Sequence, residues 1–160
     1  MACERPRRLS GKLTRMAKML DQIQRLLRGE APPPPVAELV GFKMTAYEIG
    51  RSTIDFEAEN RHANPMGTLH GGILCDIADA AMGMAYASTL EGDETFTTLE
   101  LKINYLKPVW TGKLQAVGKV VKGGGTIGLV ECDIWDDRQR LVARASSTVM
   151  TLRGDQATGR

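Results

Sequence analysis

Residues 71–88, GGILCDIADAAMGMAYAS, decide the architecture. Ile73, Leu74, Ile77, Ala78, Ala81, Met82, Ala85 and Tyr86 leave almost no polar side to a helix running from Gly71 or Gly72 to about Ser88. A helix that is apolar nearly all round belongs in an interior. Two side chains break the pattern, Asp76 and Asp79, and both are carboxylates.

The flanking sequence supplies what must cover that helix. Upstream, residues 42–49 and 52–59 read as strands joined by a tight hairpin at Gly50-Arg51. Within the second, Ile54, Phe56 and Ala58 alternate with Thr53, Asp55, Glu57 and Glu59, a period of two. A loop from Asn60 to Leu69 follows. Downstream, four more strand-like runs span about 95–107, 113–122, 126–135 and 140–152. Leu99, Leu101, Ile103 and Tyr105 alternate in the first, and Pro108 stops it. Val130, Cys132 and Ile134 alternate with Glu131 and Asp133, while Gly123-Gly124-Gly125 and Asp136-Asp137 mark turns. Short turns between strands imply an antiparallel sheet. One long apolar helix among such strands forces the sheet to curl around it. The pattern therefore predicts an α+β hotdog fold: five to six antiparallel strands wrapped around one central helix, with an additional N-terminal helix.

That N-terminal helix is expected from about Gly11 to Gly29, where Leu13, Met16, Leu20, Ile23 and Leu27 recur at helical spacing. It is amphipathic, suited to packing on its own domain or on a sister subunit. Pro32 to Pro35 read as a stiff extended linker. The expected organisation is an arm and linker over 1–35, a hotdog domain over 36–154 and a flexible tail over 155–160. Residues 1–29 carry eight Lys/Arg against Glu4 and Asp21, so the positive charge belongs to the arm. One basic helix is too little for a helix-turn-helix, and 5% aromatics argue against stacked nucleic acid bases. No apolar run reaches the roughly 20 residues a membrane span needs. Cys3, Cys75 and Cys132 have no metal-type spacing, and two of them sit among apolar neighbours, as buried free thiols do. A cytoplasmic protein without metal, cofactor, nucleic acid partner or stable membrane insertion is expected.

Three features around the central helix carry chemistry. His70-Gly71-Gly72 enters the helix, whose first N–H groups are unpaired and point forward. Such donors suit a thioester carbonyl and the oxyanion it becomes. Asp76 and Asp79 are carboxylates among apolar residues, a setting that marks acid–base or nucleophilic groups, although either acid is equally at home facing water or a subunit seam. Asn64 precedes Pro65 in the upstream loop, where an amide orients water or substrate, or simply builds a turn.

The run from Asn64 to Asp79 resembles the PaaI-type branch of hotdog thioesterases. The similarity continues through Ile103 to Pro108 with Gly112 and into Leu141 to Thr148, covering about residues 40–152. The resemblance implies acyl-CoA thioester hydrolysis by a homodimer, usually paired again into a homotetramer. Asp79 matches the catalytic carboxylate, as nucleophile or as base on water. Gly71 matches the glycine whose N–H polarises the carbonyl, and Asn64 the amide that positions water or substrate. Thr98 falls where relatives place a hydroxyl near the attacking water, with Thr97 as competitor. Simple alternation puts Thr98 opposite Leu99, so this role requires a bulge or the subunit seam. His70 matches a structural position at the helix start and, with Gly72 and Lys122, is assigned to the substrate side. Lys122 stands beside a glycine turn where relatives often carry a basic residue for CoA phosphates. Asp76 has no catalytic counterpart.

Two other functions are weaker. A hotdog hydratase needs a catalytic His with an acid in an Asp-x-Asn-x-x-x-x-His pattern, which is absent here. A non-catalytic acyl-CoA binder or sensor is the alternative from a different class.

Overall fold

The computed structural model describes residues 23–158. Six strands and one long helix form the body: β1 (Phe42–Glu48), β2 (Arg51–Ala58), β3 (Thr95–Tyr105), β4 (Gly112–Gly123), β5 (Ile127–Asp136) and β6 (Leu141–Leu152). A short helix α1 (Pro35–Val40) precedes them, and α2 (Gly71–Ala87) crosses between β2 and β3. All pairings are antiparallel, in the order β1-β2-β4-β5-β6-β3. The hotdog arrangement is borne out, with six strands.

Small residues let α2 lie directly on the sheet. Ser52 and Gly118 are register partners on β2 and β4. A Cβ at Gly118 would overlap the Ala81 carbonyl, and Ser52 Oγ donates to that same oxygen at 2.7 Å. One turn further on, a Cβ at Gly128 would overlap the Tyr86 ring, whose hydroxyl pairs with Thr151 Oγ1 at 2.7 Å. Ile77, Ala78, Ala81 and Ala85 consequently have 0% exposure. The opposite face is different. Asp76 and Asp79 are exposed there, and Ile73, Ala80, Gly83 and Met84 are only half-buried. The described residues therefore cover α2 fully on the sheet side alone.

The proline run departs from expectation. Pro35 does not end an extended linker; it opens α1, because proline lacks only an N–H that the first helical turn leaves unpaired. Gly41 then closes that helix in the left-handed conformation, φ 92°. Of the N-terminal helix, residues 23–27 are helical, with Ile23 buried, and the reading over 11–22 lies outside the described residues. After β6, Gly154–Ala157 form a 3-10 turn. The two thiols also differ. Cys132 is fully buried, which pushes its thiol up to about 12, with Asp133 adding to the effect. Cys75 is only half-buried, since it lies on the flank of α2 against Tyr105 instead of beneath it. Cys3 lies outside the described residues.

The edge of the sheet at β3 bears on function. Its outer side has no strand partner among the described residues, and Leu99 and Tyr105 are 52% and 54% exposed. A long, apolar, unpaired edge is a template for pairing with another chain. Its register with β6 slips between Thr98 and Glu100.

Candidate active site

The start of α2 is built around one open backbone donor. His70 is the N-cap, and its Nδ1 accepts from the Gly72 N–H at 2.9 Å. The Ile73 N–H donates to the His70 carbonyl at 3.1 Å. Among the described residues, the Gly71 N–H donates to nothing. His70 thus acts by capping, and it occupies Gly72, leaving Gly71 as the amide able to meet a ligand. The His70 N–H in turn donates to the His62 carbonyl at 2.9 Å, tying the loop to the helix.

The glycine at position 71 gives Tyr105 its place. A Cβ there would come within 2.8 Å of the Tyr105 ring. Tyr105 Oη donates to the Gly71 carbonyl at 3.1 Å and lies 3.3 Å from Cys75 Sγ. The bond with Cys75 and burial together push the Tyr105 phenol up to about 12, so it stays protonated as a donor. Tyr105 and His62 hold the site, yet neither stood out in the sequence. Tyr105 reads there only as one member of an alternating strand, and its partner is 34 residues away.

Asn64 lies close by in the chain but is engaged in turn chemistry. Its Oδ1 accepts from the N–H groups of Met66 at 2.9 Å and Thr68 at 3.2 Å, and its Nδ2 donates to Thr68 Oγ1 at 2.9 Å. One amide hydrogen remains after those bonds. Asn64, Gly71 and Tyr105 line a common cavity of about 410 Å³.

The carboxylates stand further along α2 on its open face. Thr98 Oγ1 donates to Asp79 Oδ1 at 3.2 Å. The register of β3 slips between Thr98 and Glu100, so of the bulge or subunit seam that this role called for, a bulge is present. Asp76, one turn earlier, is held above the usual carboxylate range, first by desolvation and then by the like charge of Asp79, with His70 opposing. Thr97 makes no contact with Asp79 that matches Thr98's. Lys122 sits near the end of β4, opposite Leu129, and lines neither the cavity at Gly71 nor the one at Asp79.

Gly71 and Asp79 are eight residues apart on one helix, about 12 Å along its axis. A thioester carbonyl cannot touch both within one chain.

A sheet wrapped around a helix whose open face carries a hydroxyl-bonded carboxylate defines a hotdog-fold protein with a candidate site on that face. A family model described as the thioesterase superfamily matches residues 66–143. The crystal structure of a phenylacetic acid degradation-related protein from Ralstonia eutropha is 32% identical, with a TM-score of 0.73, covering 81% of this chain and 98% of that one. A Saccharolobus solfataricus protein whose esterase assignment is itself provisional is 31% identical, over 74% of this chain and 84% of that protein. The 1,4-dihydroxy-2-naphthoyl-CoA hydrolase of Listeria monocytogenes is 26% identical, over 70% of this chain and 91% of that enzyme. The chain belongs to the thioesterase superfamily, in its PaaI-type hotdog branch. No helix among the described residues is long and apolar enough to cross a membrane.

Proposed function

We propose that this protein hydrolyses an acyl-CoA thioester to the free acid and CoA, at a site shared between two subunits. The observation that carries this is Asp79: a carboxylate on the open face of an apolar helix, held by Thr98, with an apolar cavity beside it. The Listeria relative, by its name, acts on a CoA thioester, which supports the substrate class.

The geometry supplies the parts of a hydrolysis. The Gly71 N–H polarises the thioester carbonyl and then holds the oxyanion. Asp79 acts as base on water or as nucleophile, with Thr98 fixing its orientation. A C–O bond forms to the carbonyl carbon and the C–S bond breaks. The departing thiolate needs little help from an acid, because thiol pKa values lie near 8 to 9. The proton lost by water ends on the CoA sulfur or in solvent. Asn64 has one amide hydrogen left for water or substrate.

Because Gly71 and Asp79 of one chain stand too far apart, Asp79 and Thr98 work with Gly71 and Asn64 of the partner subunit. The unpaired β3 edge and the uncovered face of α2 suit a two-fold dimer, in which each surface meets its own copy. We place that dimer within a homotetramer, in a reducing cytoplasm consistent with free Cys75 and Cys132.

The test is release of CoA thiol from a panel of acyl-CoAs by the parent and by Asp79→Asn. The variant should assemble normally and lose activity on the order of a thousandfold. Turnover by the variant at the parent rate would remove Asp79 from the mechanism. A parent protein that binds acyl-CoA without releasing thiol would instead favour the non-catalytic binder.

A further inference from the structure

A cavity of about 900 Å³ opens directly beside Asp79. Its floor is α2 and β3, through Gly83, Met84 and Phe96, and one wall is the segment from Leu26 to Val36. That segment lies outside residues 66–143, the part matched by the superfamily. Leu27 and Val36 are 37% and 51% exposed, apolar side chains standing open at the cavity.

The occupant follows from position and chemistry. Gly83 lies one helical turn beyond Asp79, on the same face. The Phe96 ring stands 3.2 Å from where a Cβ of Gly83 would lie, so a larger residue there would crowd the cavity floor next to Asp79. An acyl group whose carbonyl carbon sits at Asp79 therefore extends along α2 into this space. The CoA portion suits it poorly, because Lys43 is the one cation among the described residues that line it. Among the described lining residues, Thr45 alone adds a polar side chain to Lys43 and Asp79, so a charged or hydroxylated acyl group would go largely unpaired against them. The volume falls in the range of small-molecule sites.

We propose that residues 26–36 form the wall of an acyl pocket and make this enzyme selective for large, uncharged, aliphatic acyl groups. This rests on Asp79 being the reacting carboxylate. The full-length protein would be assayed by thiol release on acetyl-, butyryl-, octanoyl- and dodecanoyl-CoA. The parent kcat/KM should climb with chain length, by on the order of fourfold per methylene buried, until the cavity is filled. Val36→Asp and Leu27→Asp, both at exposed positions, should lower the octanoyl-to-acetyl ratio at least about tenfold. Met84→Trp, which fills the floor, should do the same. A parallel titration uses the dodecyl thioether of CoA, which cannot be hydrolysed, and its Kd should weaken at least about tenfold in Val36→Asp.

Hydrolysis with a flat chain-length profile, or a profile that none of the three variants alters, overturns the pocket while leaving the hydrolase reading intact. Dodecyl thioether binding that Val36→Asp abolishes, without thiol release from any substrate, overturns the hydrolase reading and keeps the pocket. A changed oligomeric state in the variants with an unchanged profile would mean that a second copy of the chain covers this wall, and the proposal fails.

Discussion

The two faces of α2 are built on opposite terms. Toward the sheet, Ala78, Ala81 and Ala85 bring the helix backbone against Gly118 and Ser52, with no space left over. Away from it, the same helix presents Asp76 and Asp79 with Gly83 and Met84, partly uncovered and bordering a large cavity. Interiors are close-packed and tolerate little change of volume. The tight face therefore fixes where the helix lies, and the loose face is free to carry charge and admit a ligand. Substitutions should separate cleanly along this line, those on the tight face acting on stability and those on the loose face acting on turnover.

The largest effect is expected at Gly118→Val. Its side chain would occupy the position of the Ala81 carbonyl, which is backbone and cannot swing aside. A loss of more than about 3 kcal/mol in urea unfolding is expected. A native-like midpoint would show that the helix does not rest on β4. Next comes Gly71→Ala, where the added methyl comes within 2.8 Å of the Tyr105 ring and pushes it off its contact beside the open amide. Thiol release should fall on the order of a hundredfold, with a much smaller change in unfolding. The reverse pattern would make Gly71 a packing residue only.

Smaller effects sharpen the division. Thr98→Val keeps the shape of the side chain and removes the hydroxyl bonded to Asp79. A charge-assisted hydrogen bond of this kind should be worth roughly tenfold in kcat, with unfolding little changed. Equal kcat would show that Asp79 needs no such support. The smallest concerns a site remote from both faces. Asp136 accepts from Lys107, from the Arg140 side chain and from two backbone N–H groups, holding its carboxyl well below the usual range. A carboxyl lowered by folding adds stability above its unfolded pKa, and that contribution fades as pH falls from about 4 toward the lowered value. Asp136→Asn should therefore flatten the acid side of the pH–melting curve. An unchanged curve would remove Asp136 from acid stability.

Much of this arrangement was legible in residue order. Apolar residues at nearly every position from Ile73 to Tyr86 announced a central helix, and period-two alternation placed the strands to within a few residues. The slip beside Leu99 was one of the two ways, a bulge or the subunit seam, by which Thr98 could reach Asp79. What escaped the sequence depends on contacts between distant segments. Tyr105 fixes Gly71 across 34 residues, which no local pattern encodes. The proline run concealed α1, because the same residue that stiffens a linker is well suited to a first helical turn. The cavity wall at Leu27 and Val36 was hidden for a related reason: spacing identifies an apolar side chain without saying what it will face. The open side of α2 escaped as well, since apolarity all round does not reveal how much of the cover comes from the same chain.

The most direct measurement is complementation between two inactive proteins. Asp79→Asn and Gly71→Ala subunits, unfolded together and reassembled, form mixed dimers alongside each parent type. If the carboxylate of one subunit serves the amide of the other, each mixed dimer contains one intact site. Random pairing should then restore about a quarter of wild-type thiol release from two preparations that have almost none alone. Assembly into mixed dimers with no recovery of activity would contradict a site shared between subunits.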